Sequence, residues 1–149
     1  MKNFTKTQRA YLAGFFDGEG TFSIIRRPDK RSPAGYGYQP YIEVTSTNEE
    51  IIKWLTGFIG KGFTFYRPKK GNANNAFTQH ITSMETIVEF ISILYPYLRL
   101  KKAVANKVRQ FCKSRQKTSI LSREKRGFTD KELKIFDEIR ALNKRGRNA

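Results

Sequence analysis

The sequence predicts an α+β fold, αββαββα with a four-stranded antiparallel sheet, followed by additional C-terminal helices. Three observations predict it. Two stretches of alternating β-branched and aromatic residues, Thr21 to Arg27 and Tyr38 to Ser46, flank a Pro-, Ser- and Gly-containing loop over Pro28 to Gly37. A shorter pair, Gly62 to Arg67 and Ala76 to Thr82, flanks a basic, Asn/Gly-rich turn over Pro68 to Asn75. Segments with helical apolar spacing precede, separate and follow the two hairpins. At 149 residues the chain has room for one domain with a sizeable core and too little for two ordinary ones.

The elements follow in order. Thr5 stands three residues before Gln8, the spacing of a capping box, and a helix is expected from there to about Asp17. Gly18-Glu19-Gly20 then breaks it. After the first hairpin, Asn48 is a fair N-cap for a helix through Glu49, Ile52, Trp54 and Leu55 to about Ile59. After the second, Ser83 caps a helix from Met84 to Leu94, with Ile87, Phe90, Ile91 and Leu94 on one face. Pro96 interrupts the chain, and a helix from Leu98 to about Ser114 is expected next. The last helix spans Asp130 to Leu142, striped by Leu133, Phe136, Ile139 and Leu142. The reading is a single domain over 1–149: a core over about 7–114, a basic connector over 115–129 and a C-terminal helix over about 130–143.

Charge narrows the partner. The chain has 29 Lys+Arg against 13 Asp+Glu, a net charge of +16. Nucleic acid is the usual partner of a compact domain so basic. A membrane surface is the competing reading, but no apolar run approaches a spanning length. Met1 to Lys6 lacks the apolar core of a signal peptide, so an intracellular, non-secreted protein is expected, its compartment open. One cysteine, Cys112, excludes an internal disulfide and reads as a packed thiol. With His80 as the single histidine, a His/Cys metal site is unsupported, and any metal must be a hard ion held by carboxylates, such as Mg²⁺ or Ca²⁺.

Strand alternation sorts the sheet into two faces. Phe22 and Ile24, with Tyr38, Pro40, Ile42 and Val44, suit a core against helices. Ser23, Ile25 and Arg27, with Gly37, Gln39, Tyr41 and Glu43, form a face of donors, acceptors and aromatic surface. That face fits base edges in a DNA groove, and loop cations such as Arg67, Lys69 and Lys70 fit phosphates. For any one of these residues a solvated sheet face is the alternative. His80 lies on a strand of unassigned facing and is either a DNA contact or a structural residue, Trp54 reads as core, and Lys144 to Arg147 reads as a loose basic tail.

The first helix carries the chemistry. Ala10, Ala13, Gly14 and Asp17 recur at i, i+3, i+4 and i+7, a stripe of small side chains that lets another helix come close. Gly14 in mid-helix costs about 1 kcal/mol against Ala, which close helix approach would offset. Tyr11, Leu12, Phe15 and Phe16 are expected to pack into the subunit core. Asp17 and Glu19 then stand at the helix C-terminus, which already carries about half a negative charge. Two copies paired along the stripe would bring two such ends together, and a cation would compensate them. Ordinary turn residues in an Asp-Gly-Glu-Gly loop are the alternative.

Leu12-Ala13-Gly14-Phe15-Phe16-Asp17-Gly18-Glu19-Gly20 resembles the LAGLIDADG motif of homing endonucleases, as does the strand after it. Ile42-Glu43-Val44-Thr45-Ser46 is similar to the end of that family's second strand. Tyr95-Pro96-Tyr97-Leu98-Arg99-Leu100-Lys101-Lys102, with Ala105-Asn106, is similar to the proline-plus-basic helix start of its single-motif members. The resemblance covers about residues 7–112 and implies a DNA-binding saddle, with Glu19 as the metal-binding acid and the Gly18 carbonyl as a further ligand. It implies that Asp17, with Ala13 and Gly14, is structural at a dimer interface. It places Lys101 near the scissile phosphates, to stabilise charge or position water. Lys102 beside it is a phosphate contact or a solvated lysine. Ser46 falls where relatives carry a longer polar side chain that organises catalytic water, and Asn48, Glu49 and Glu50 occupy a region where a basic residue is expected. The motif occurs once, which implies a homodimer sharing one site about a twofold axis. The implied activity is an intron- or intein-encoded, Mg²⁺-dependent endonuclease making a staggered break in a long, pseudo-palindromic DNA, with no small-molecule cofactor; Ca²⁺ binds without supporting cleavage. A cleavage-inactive relative of the same fold, an RNA maturase or regulator, is the alternative.

Overall fold

The computed structural model describes residues 1, 3–68, 70–71, 74–119 and 127–145. The elements run α1 (Lys6–Glu19), β1 (Gly20–Pro28), β2 (Tyr36–Ser46), α2 (Glu49–Ile59), β3 (Phe63–Arg67), β4 (Ala76–Ile81), α3 (Met84–Leu94), α4 (Lys102–Ser119) and α5 (Asp130–Arg145). The four strands form one antiparallel sheet in the order β1-β2-β4-β3. The α+β class and the αββαββα order therefore stand.

Local chemistry explains most boundaries. The Thr5 hydroxyl accepts from the Gln8 amide at 3.2 Å and the Gln8 side chain accepts from the Thr5 amide at 2.9 Å, closing the capping box of α1. The Asn48 carbonyl oxygen accepts from the amides of Glu50 and Ile51 at the start of α2. Glu49 and Glu50 stand in that first turn, where the helix dipole favours negative charge. At Gly62, φ is +97°, and a Cβ would stand 2.6 Å from the His80 carbonyl oxygen, so only glycine lets α2 turn into β3.

One face of the sheet packs on the helices. Phe22, Ile24, Pro40, Ile42 and Val44 are buried, as alternation predicts. Phe16 of α1 meets Phe90 of α3 edge-on at 5.1 Å between ring centroids and Phe22 of β1 at 5.8 Å. Burying each such ring contributes about 1.5–3 kcal/mol. Gln79, also buried, accepts from the hydroxyls of Thr56 and Thr64 and so ties α2 to β3 and β4. Tyr38 packs on Phe128 and Phe136, which draws α5 onto the same layer. At the sheet edge, the Asn143 amide of α5 donates to the Phe22 carbonyl at 3.1 Å.

Several boundaries depart from the sequence reading: β2 begins at Tyr36, inside the expected loop, and α5 runs to Arg145, through the first two residues of the expected loose tail. The helix expected from Leu98 begins at Lys102, because the Asp17 carboxylate takes the amides of Arg99 and Lys101 and holds the preceding segment as a turn. Its other end runs to Ser119, into the expected connector, and Arg115 there bonds the buried Glu132 of α5 at 3.4 Å. Finally, α1 continues through Gly18 to Glu19 instead of ending at Asp17. Residues 120–126 of the connector, Lys69 of the second turn and residues 146–149 of the tail lie outside the described residues.

Candidate active site and nucleic-acid face

The site is built where α1 meets the turn before α4. The backbone passes from α1 directly into β1 at Gly20, whose amide donates to the Phe16 carbonyl. A Cβ on Gly20 would fall 2.8 Å from that carbonyl oxygen and 2.9 Å from the Phe16 Cα. Glycine there lets the strand leave hard against the helix end. It also puts Glu19, the last helical residue, at the start of the sheet.

Asp17 and Glu19 have different settings. Asp17 is half-buried, and its two oxygens accept from the Arg99 amide at 2.7 Å and the Lys101 amide at 2.9 Å. It clamps a segment more than eighty residues away in sequence. Glu19 is exposed at the helix tip. The two acids thus divide into a fastener and an outward-facing carboxylate.

Lys101 joins them. Its ammonium donates to the carbonyls of Phe16 at 3.2 Å, Gly18 at 3.3 Å and Gly20 at 2.5 Å. A cation seated on the last turn gives the Gly18 carbonyl a partner the helix does not supply, adds a second donor to the Phe16 carbonyl, and offsets the negative end of the dipole. This contact explains why α1 continues through Gly18. Burial pushes the ammonium below its ordinary value, while the Asp17 and Glu19 carboxylates oppose that shift. Within one chain, therefore, the helix end already has a cation, whereas the sequence reading expects one only where two copies of the helix pair.

The small-residue stripe also divides. Ala13, expected at the dimer interface, is fully buried in the chain's own core beside Leu12 and Phe16. This is a correction: the helix is rotated so that Ala10, Gly14 and Gly18 are exposed at four-residue spacing, and Gly14 has nothing within 4 Å of a would-be Cβ. Tyr11, expected in the core, is 55 % exposed and leans edge-on against Trp54, itself only half-buried. Thr7, Gln8, Tyr11, Ile51 and Trp54 line a shallow apolar cleft between α1 and α2.

The other face of the sheet is open. Register places Ser23 opposite Tyr41, Ile25 opposite Gln39 and Arg27 opposite Gly37, all on the side away from the buried Phe22, Ile24 and Ile42. Glu43 lies between Thr21 and His80, and Phe63 follows on β3. Arg67 is exposed on the same face of β3, and Lys70 is exposed beyond it. Lys102 turns elsewhere, its ammonium 4.8 Å over the Tyr95 ring. The Ser46 hydroxyl accepts from the Asn48 amide at 3.1 Å, so it serves the turn into α2. The sequence reading left the facing of His80 open and did not single out Phe63 and Phe65. Alternation of Ala76, Thr78 and His80 against Phe77, Gln79 and Ile81 was the signal that places them.

Residues 12–115 match the profile of the LAGLIDADG endonuclease family. The chain belongs to that family. Comparison with curated protein sequences found no match. Among solved structures, the LAGLIDADG chain is similar to the homing endonuclease I-CvuI in complex with the I-CreI target, with TM-score 0.64 and 20% identity over 94% of each chain. It is similar to the group I intron-encoded homing endonuclease I-CeuI complexed with DNA, with TM-score 0.71 and 17% identity over 93% of this chain and 69% of that one. I-SmaMI bound to uncleaved DNA with calcium gives TM-score 0.69 and 21% identity over 91% of this chain but 45% of the other. At these identities the likeness shows a shared fold. No helix among the described residues is long and apolar enough to cross a membrane.

Proposed function

We propose that this LAGLIDADG protein is a site-specific homing endonuclease that makes a metal-dependent, staggered double-strand break in a long, pseudo-palindromic DNA as a homodimer. The observation that carries the reading is the exposed Glu19 carboxylate at the tip of α1, with the Lys101 ammonium seated on the same helix end, beside an open and cation-rimmed sheet face. A net charge of +16 supports DNA as the polyanion that face receives.

The donor set fits a hard divalent cation. No group of three or more His, Cys, Asp or Glu comes together among the described residues. One chain therefore offers the Glu19 carboxylate, and the Gly18 carbonyl through the lone pair that Lys101 leaves free. Water, phosphate oxygens and the Glu19 of a second copy would supply the rest, a pattern suited to Mg²⁺, which keeps waters and binds through one or two carboxylates. Such an ion supplies charge that activates water and stabilises a leaving oxygen. Lys101 adds a fixed positive charge at the same helix end. The exposed stripe of Ala10, Gly14 and Gly18 supports a twofold pairing that brings both Glu19 residues together. The similarity to about half of the I-SmaMI chain supports the same view, with two copies here making up the unit.

A binding protein that has lost cleavage is favoured by one feature: the Ser46 hydroxyl is engaged by Asn48, with Glu49 and Glu50 next to it. The test separates the two. The protein is incubated with a library of long duplexes in Mg²⁺ and, separately, in Ca²⁺. Staggered double-strand breaks in Mg²⁺ alone are expected, and Glu19→Gln should abolish them while binding and dimerisation persist. Tight binding with no cleavage of any duplex would establish the binding-only reading, and normal cutting by Glu19→Gln would overturn the metal assignment.

A further inference from the structure

A carboxylate on a surface that receives a polyanion is repelled by it, so Glu43 needs an account. It lies in one row across all four strands, Thr21–Glu43–His80–Phe63, on the open face. Its Oε2 accepts from His80 Nδ1 at 3.0 Å. A carboxylate only accepts, so Nδ1 carries the hydrogen and the tautomer is fixed by Glu43. Three rings hold the imidazole: Tyr41 stacks on it at 5.2 Å and 23°, Phe63 stands at 5.1 Å and Phe65 at 5.8 Å. The His80 side chain is 12% exposed and that of Glu43 is 26% exposed, so the histidine is the buried anchor and the acid the presented group. Among the described residues no donor takes the second oxygen, Oε1.

In the major groove, an acceptor discriminates among bases by the donors they present. Thymine offers an acceptor and guanine offers two. Adenine offers its N6 amine beside the N7 acceptor, which repels a carboxylate. Cytosine offers its N4 amine with a C5–H, and no acceptor, on the side away from the paired guanine. We propose that Glu43 is a specificity-determining residue that accepts a hydrogen bond from a cytosine amine, and that His80 is the positioning residue that holds it. The inference rests on the DNA-cutting reading above and names one base contact within it.

The test selects the full-length protein against a randomised duplex library in Ca²⁺, so that binding is scored independently of cleavage, and sequences the bound pool. The wild type should prefer cytosine at one position in each half of the site by roughly 10- to 100-fold. Glu43→Gln keeps the shape of the side chain and should move that preference to adenine, whose N6 and N7 an amide can bond together. His80→Phe keeps the ring packing but removes the N–H, and should flatten the preference at the same position. His80→Asn returns an amide N–H near the place of Nδ1 and should restore cytosine. If the wild type selects a site but Glu43→Gln alters no position by more than twofold, the proposal is overturned and the pair only braces β2 against β4. If the wild type selects no sequence, the DNA-cutting reading itself falls, and this inference with it.

Discussion

Replacing Asp17 with asparagine tests the division of labour at the tip of α1. The wild-type carboxylate accepts two backbone hydrogen bonds, 2.7 Å from the Arg99 amide and 2.9 Å from the Lys101 amide. Asparagine keeps one acceptor and turns an NH₂ group toward the other amide. Hydrogen bonds to a charged acceptor contribute about 1.5–3 kcal/mol each. The Arg99 amide is solvent-exposed, so water replaces part of what it loses. A net cost of about 1.5–3 kcal/mol is expected, and at roughly 2–4 °C per kcal/mol for a chain of this size Tm should fall by about 3–12 °C. Differential scanning calorimetry reads this directly. Cleavage should fall as well, because the turn that carries Lys101 loses its anchor. Glu19→Gln is the control: an exposed substitution should stay within about 0.5 kcal/mol. An Asp17→Asn protein melting within 1 °C of wild type would refute the fastener role.

Gly14→Leu places bulk on the exposed stripe where a single chain offers no obstacle. It should yield a folded monomer with unchanged helix content, and dimers in sedimentation at micromolar protein would contradict the proposed pairing. Gly20→Ala drives a methyl group into the Phe16 backbone and should destabilise by about 1–3 kcal/mol; a neutral thermal melt would show that the helix–strand junction can relax. Burial pushes the Cys112 thiol from its ordinary 9.0 up to about 12. Between those values the unfolded chain loses its proton first, so stability from this group is complete below pH 9 and is lost toward pH 12. The slope is up to about 1.4 kcal/mol per pH unit. Cys112→Ala lacks that loss, so its Tm deficit against wild type should narrow as pH rises from 8 to 10.5; a constant offset would contradict the burial.

Local patterns were legible in the sequence. The Thr5–Gln8 box, the Asn48 cap and the Met84–Leu94 helix follow from short-range chemistry and appear as read. The period-two alternation of β1 and β2 likewise assigned Phe22 and Ile42 inward and Ser23 and Tyr41 outward. What sequence spacing did not supply was the outcome of long-range competition. A small-residue stripe has two sides, and only packing against α3 and the sheet decides that Ala13 faces the core while Gly14 faces out. The start of α4 depends on a carboxylate in α1, and helical periodicity carries no trace of it. The seat of Lys101 has the same origin. His80 was ambiguous because the facing of β4 is set by its register with β2 across a long intervening stretch.

The bonds between the two ends of the site span 81 to 85 residues of chain. Growing polypeptide therefore presents the acidic tip of α1 long before it presents the lysine and the amides that complete it. A fragment stalled or clipped short of residue 99 carries Glu19 without the clamp on Asp17 and without the ammonium on the helix end. Under the proposed function, the site at the tip of α1 takes its form only once the segment through Lys101 has been made. The acidic helix tip and its clamp are therefore completed together, and only in a chain that already holds the turn before α4.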